Sequence, residues 1–288
     1  MPVKEIVAKV TEQMGDLPAL STVVSEVLRM TEDPNTSTSD VCEVVQSDPG
    51  LTAKVLRVSN SSYYGMRQYV GTLKLALVIL GVREVRNIVL GISVFDTLTG
   101  EQGDVRLAQE IWNESLRKAG FARHLSTHMG LGLQGEEFIS GLLSDIGKMG
   151  LLRKSPEGYR KTLEEHGTMS ALLEAERTAF GFDHADVAMA LAENWSLPQT
   201  LAQALWYQYP RPDSSLTEAR DPNLAAVSRI TRLASHDDFS RPSGQLALAD
   251  QDAWQVLSAA RKPIPPEERY ATLAGFIKDV DEAPAVPL

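Results

Sequence analysis

The 288-residue chain is 43% hydrophobic and 23% charged, a globular balance that excludes the charge-rich, apolar-poor regime of disordered chains. A formal charge of -10 without a long Lys/Arg run repels a phosphate backbone, so no DNA binding is expected. The only cysteine, Cys42, excludes an intrachain disulfide framework and a cysteine-rich zinc site; among Val41, Val44 and Val45 it reads as a small packed hydrophobe.

Met1 to Val10 alternates charged and apolar residues and lacks a signal-peptide core, and no run approaches the roughly 18 apolar residues of a membrane span. A cytoplasmic protein is expected, with no membrane contact. Residues 1–16 read as a helical extension. The period along the chain is helical, and strand alternation is nearly absent. Pro18 is placed in the first turn of a helix whose stripe is Leu20, Val23, Val24, Val27 and Leu28, ended by Asp33-Pro34. Ser37 and Asp40 form a capping-box pair, and Asp48-Pro49 caps and opens the next helix. Asn60 to Gly65 reads as a turn, Leu73 to Leu80 as a helix closed by Gly81, and Val82 to Phe95 as another helix. Leu98 to Asp104, with Gly100 and Gly103, is the expected linker to a second helical block that starts near Arg106.

In that block one helix is expected from Glu136 to Leu152, followed by Met169 to Phe180, His184 to Trp195 and Pro198 to Tyr207. Arg211 to Pro222 reads as a surface loop, Leu224 to Ala234 as a helix and Arg241 to Gly244 as a turn. Trp254 to Ala260 and Glu267 to Val280 are the last helices, and Pro284 and Pro287 suggest a frayed end. The fold class expected is all-α, a helical bundle over 17–97 packed on a helical lobe over 106–212, with a helical extension over 213–288.

Several stretches together resemble the HD-related output domain family, HDOD. They are Leu17-Pro18, Ser47-Asp48-Pro49-Gly50-Leu51, Asn60-Ser61-Ser62-Tyr63-Tyr64-Gly65 and Leu80-Gly81-Val82 in the first half. In the second they are Ile111-Trp112, Phe138 to Lys148, Phe180 to His184 and Trp195-Ser196-Leu197-Pro198, so the likeness runs roughly from Leu17 to Pro212. The resemblance implies an HD-phosphohydrolase-like lobe. In those hydrolases a His-Asp pair, an earlier His and a later Asp hold a divalent cation that activates water.

In this chain the pair reads Ser144-Asp145, the earlier position falls at Glu114, and the later one at Thr231. Gln208 and Tyr209 stand where relatives often carry paired histidines, and His184 matches the family pattern. A serine hydroxyl is a poor ligand beside imidazole, and one or two carboxylates do not make a catalytic shell. The expectation is therefore a pseudo-hydrolase with no catalytic residues, metal or other cofactor. Glu114 is expected to face solvent or a cation such as Lys148. A metal-dependent phosphohydrolase with substituted ligands is the runner-up.

His124 and His128 share a helix face but lack the glutamate of a metalloprotease motif. Ser61 and Ser62 have no nucleophile elbow around them. Asn60 is expected to tie its turn to backbone; Asn60, Tyr64, Arg83, Arg86 and Lys148 are the candidate ligand or partner contacts. The resemblance implies a regulatory scaffold in bacterial signal transduction, binding a protein partner and a small nucleotide. Pathway and self-association are not legible in the sequence.

Overall fold

A computed structural model describes residues 3–282 except 16, 34, 61–63, 65, 67, 100–103, 167, 212–213, 238 and 241–244. Expectations placed on Pro34, Ser61, Ser62, Tyr63, Gly65, Gly100, Gly103, Pro212, the Arg241 to Gly244 turn, Pro284 and Pro287 lie outside the described residues. Among the described residues the secondary structure is helical with no strand, the sole pairing of that kind being an isolated bridge between Arg211 and Ser214. No described helix is long and apolar enough to cross a membrane.

In chain order the helices are α1 (Val3–Met14), α2 (Thr22–Glu32), α3 (Thr38–Gln46), α4 (Pro49–Ser59), α5 (Leu73–Leu80) and α6 (Val82–Thr99). Then come α7 (Val105–Met129), α8 (Glu136–Leu142), α9 (Ile146–Lys154), α10 (Pro156–Glu165), α11 (Met169–Phe180) and α12 (His184–Asn194). The chain continues with α13 (Gln199–Tyr207), α14 (Pro222–Ala234), α15 (Leu246–Ala249), α16 (Gln251–Leu257) and α17 (Arg269–Glu282). The backbone gathers into two compact units, a smaller one over Pro18–Thr97 and a larger one over Met1–Leu17 and Leu98–Asp281.

In the smaller unit, local chemistry sets the helix starts. Ser37 and Asp40 make a reciprocal capping box at α3, and Asp48 Oδ1 accepts the Leu51 N–H at 3.0 Å with Pro49 in the first turn of α4. Gly81, at φ +86°, closes α5. Pro18 does not start α2. The helix begins at Thr22, because the Ser21 hydroxyl accepts the Val24 N–H and fixes the cap there. Val82 to Thr99 is one continuous helix, longer at its C-terminal end than the apolar run suggested.

The larger unit is organised on α12, whose residues from His184 to Ala192 are all buried. Burying side chains such as Val187, Met189 and Leu191 contributes about 1.5–3 kcal/mol each. A side chain at Gly147 would place its Cβ 1.7 Å from the His184 carbonyl oxygen, so only glycine lets α9 lie this close to α12. Gly141 does the same for α8 and α7: a Cβ there would meet the Ala119 backbone at 2.5 Å. The helix expected from Glu136 to Leu152 is two helices. The chain breaks at Leu143–Asp145, and the two glycine contacts pull its halves toward different neighbours, α7 and α12. Residues 211–222 are not wholly loop, since Leu216–Glu218 forms a 3₁₀ turn capped by Ser215. The α16 helix starts at Gln251, earlier than Trp254, because Asp250 caps it through the Ala253 N–H. The N-terminal helix α1 packs on α12 within this unit.

Candidate functional site

The break between α8 and α9 turns Asp145 inward. Its backbone carbonyl accepts the Lys148 and Met149 N–H groups and so starts α9, while its side chain makes no cap bond. The carboxylate is 1% exposed and meets three cations from three helices. Arg232 on α14 donates to Oδ1 at 2.7 Å, Lys148 on α9 lies 3.1 Å from the same oxygen, and Lys118 on α7 donates to Oδ2. Burial alone would raise the carboxyl, yet Arg232, Lys118 and Lys148 hold it well below the usual carboxylate range. Burial, with Arg232 adding to it, drops the Lys118 ammonium to about 7.

His184, the first residue of α12, lies at the other end of the same guanidinium. Arg232 Nη2 is 3.4 Å from His184 Nε2, and the Tyr209 hydroxyl donates to that nitrogen at 2.6 Å. On the other side of the ring, Nδ1 donates to Glu176 Oε2 at 2.7 Å, and the His184 backbone N–H donates to the same carboxylate at 2.9 Å. Tyr159 completes the chain by donating to Glu176 Oε1 at 2.5 Å. With donors on Nε2 and a carboxylate on Nδ1, the imidazole is neutral and protonated at Nδ1; burial lowers its pKa, outweighing Glu176. The helix itself is capped by Asp183, not by His184.

The remaining positions aligned with metal ligands are poor donors here. Ser144 Oγ, Gln208 Oε1 and Thr231 Oγ1 are buried without a hydrogen-bond partner among the described residues. The Gln208 amide instead donates to the Ser144 and Leu205 carbonyls at 3.0 and 2.7 Å. Glu114 pairs with Arg117 at 2.7 Å and not with Lys148, which Asp145 has claimed; an i,i+3 partner on its own helix is nearer than one on α9. No group of three or more His, Cys, Asp or Glu side chains suited to a metal occurs among the described residues. A divalent ion does not fit this donor set. Its one strong carboxylate is spent on three fixed cations, and a fourth positive centre would be repelled.

Glu114, Lys118 and Thr231 line a cavity of about 10 Å³, roofed by Ile277 and Val280 of α17. That is room for about one water molecule. α17 is latched by Arg117 on Asp281 and by Phe276, whose ring lies 5.7 Å from His124, 5.5 Å from His128 and 5.9 Å from Phe121. The His124 and His128 pair is thus a packing surface.

The other candidate contacts lie in the smaller unit. Asn60 pins its turn, donating to the Leu56 and Val70 carbonyls at 2.8 Å and accepting the Val70 N–H at 2.7 Å. Tyr64 donates to Glu84 at 2.9 Å; Arg83 is exposed and Arg86 half-buried. Sequence reasoning missed Lys118, Tyr159, Glu176 and Arg232, which carry the electrostatics of the centre.

Asp145 at the start of α9 and His184 at the start of α12, held at the heart of an all-helical lobe, mark an HD-like helical fold. The chain belongs to the HDOD family: the HDOD domain matches residues 17–210. It is similar to the structure of an HDOD domain protein from Geobacter sulfurreducens, at 19% identity and a TM-score of 0.76, over 98% of this chain and 99% of that one. A proposed phosphohydrolase from Shewanella amazonensis is similar at 21% identity and a TM-score of 0.70, over 96% and 98% of the two chains. An uncharacterized Treponema pallidum protein is 24% identical over 84% of the chain. The chain spans about half the length of that curated relative, 47%. Identities this low bear on the fold alone.

Proposed function

We propose that the chain is a non-catalytic signal-transduction scaffold of the HDOD type, which acts by presenting helix surfaces to a protein partner. The observation that carries this reading is Arg232, whose guanidinium bridges Asp145 and reaches His184, the pair that would share a divalent ion in a hydrolase. A fixed internal cation supplies the charge such an ion would bring, so the lobe keeps its shape without metal. It supplies no open coordination position and no activated water. The burial of Lys118, Ser144, Gln208, Thr231 and Arg232 around Asp145, and the cover given by α17, support the same reading. A partner is expected to dock on exposed helix surface, outside the closed centre.

The test is elemental analysis of the purified chain together with hydrolysis of a phosphodiester and of nucleotides in the presence of manganese or magnesium. The scaffold reading predicts no stoichiometric metal and no turnover above buffer. Stoichiometric metal, with turnover lost in Asp145→Ala, would replace it with a phosphohydrolase that uses substituted ligands. Pull-down from the native cell tests the partner, and repeated failure to recover one removes that half of the proposal.

A further inference from the structure

A second recess in the larger unit, a cleft of about 260 Å³, opens between α1, the α11–α12 turn and the end of α13. Its wall includes Lys9, Arg177, Gly181, Asp186, Trp206 and Arg211. The α11 helix ends at Gly181 in the left-handed conformation, φ +79°, and α1 crosses at that point. Lys9 donates to the Gly181 carbonyl, and a Cβ at Gly181 would lie 3.3 Å from Gln13 Oε1. The glycine therefore lets α1 approach and sets the Lys9 ammonium on the rim of the cleft.

The opposite charges have other work. Asp183 accepts the Ala185 and Asp186 N–H groups at 3.0 and 3.1 Å, and Asp186 accepts the Asp183 N–H at 3.1 Å and the Trp206 indole at 2.8 Å. Arg211 forks onto Asp183 at 2.7 and 3.1 Å and lies over the Trp206 ring, 4.7 Å from its centroid. Arg177 binds Asp183 through Nε and Nη2 at 3.1 and 2.7 Å. Its Nη1 has no partner among the described residues, and its side chain is 40% exposed. Three cations thus meet two carboxylates, both of which are committed to capping α12 and to the indole. The surplus is positive and faces the recess.

The geometry points to this cleft as a binding site for the phosphate group of a small molecule, with Lys9 and Arg177 as its donors and Arg211 held behind them by Asp183 and Trp206. Guanidinium and ammonium groups around one concavity suit a tetrahedral oxyanion. The volume lies just under the roughly 300–1,000 Å³ of drug-sized pockets and fits a phosphate or a compact ester. The lining contains none of Lys118, Asp145, Lys148, His184 or Arg232, and the site does not depend on whether the Asp145 centre hydrolyses anything.

Calorimetric titration of the full chain with inorganic phosphate, adenosine 5′-monophosphate and adenosine tests it. Saturable phosphate binding is expected at millimolar concentration or below. Lys9→Ala is expected to weaken it about fivefold and Arg177→Gln about tenfold, which is ~1.4 kcal/mol. Lys262→Ala, remote in sequence and exposed, should leave it unchanged. If the monophosphate binds more tightly than phosphate while adenosine is silent, the natural ligand is an ester; if the two bind alike, it is free phosphate. Both outcomes support the site. It is overturned by no saturation up to about 10 mM, by adenosine binding as well as its monophosphate, or by binding that Lys9→Ala leaves intact. Should Arg177→Gln fail to fold by circular dichroism, the exposed Lys9 carries the comparison alone.

Discussion

Replacing Asp145 by asparagine removes one negative charge and little volume, and it leaves Lys118, Lys148 and Arg232 buried around a neutral amide. The Lys118 and Arg232 side chains are each 1% exposed and Lys148 is 12% exposed, so none can swing into water without dismantling the lobe; Lys118, already near 7, can shed its proton, whereas the Arg232 guanidinium cannot. Breaking a buried ion pair by removing one member costs about 3–5 kcal/mol. For a unit of this size each kcal/mol lowers the melting temperature by roughly 2–4 °C, so a fall of roughly 6–20 °C is expected. Urea denaturation followed by tryptophan fluorescence measures the free energy, and calorimetry measures the temperature. Adding Arg232→Met to Asp145→Asn removes the stranded guanidinium, and the double variant is expected to recover at least about 1 kcal/mol. A loss under about 1 kcal/mol in the single variant would show that the carboxylate does not hold the three cations together, and the reasoning would fail.

The same carboxylate gives a pH dependence. Its folded pKa is depressed, so its stabilisation is complete above the unfolded value near 4 and fades as pH falls through and below it. The stability gap between the native chain and Asp145→Asn should accordingly narrow below about pH 4 in acid titrations followed by circular dichroism; a gap constant to the point of acid unfolding contradicts this. Gly147→Ala would drive a Cβ into the His184 carbonyl, and a loss of at least about 3 kcal/mol, or of soluble expression, is expected; near-native urea stability would refute the α9–α12 approach. Phe276→Ala removes the ring that sits on Phe121, His124 and His128. Amide exchange should quicken across α17 while α12 stays protected, and a uniform change over both helices would mean that α17 is not a separable latch.

The features legible in the sequence are those whose chemistry is local. The capping box of Ser37 and Asp40, the Asp48-Pro49 start, and the glycine stop at Gly81 each act within one turn of a helix and can be read without knowing the fold. The helix α10 escaped because it buries only Tyr159 and so shows no apolar stripe. The break at Leu143–Asp145 escaped because its apolar run continues across it; what divides the helix is the approach of α7 and α12, partners from elsewhere in the chain. The replaced positions Ser144, Gln208 and Thr231 could be read one by one. Their replacement by Lys118 and Arg232 could not, since these meet Asp145 across 27 and 87 residues. A weak signal was present: Lys118 lies on the buried face that Ser115, Ala119 and Ala122 define, and Arg232 sits in a helix buried from Leu224 to Ala234. A cation on an apolar face needs a buried counter-charge, and Asp145 was the carboxylate left over.

The most direct test of the central claim, that fixed cations occupy the ground a metal would need, is a crystal of the full chain grown or soaked in millimolar manganese. Anomalous scattering locates the ion without assumptions about activity. The account predicts no anomalous peak within coordinating distance of Asp145 and an unbroken Arg232 to Asp145 contact. A full-occupancy peak on Asp145, with His184 turned to ligate it and Arg232 displaced, would contradict it.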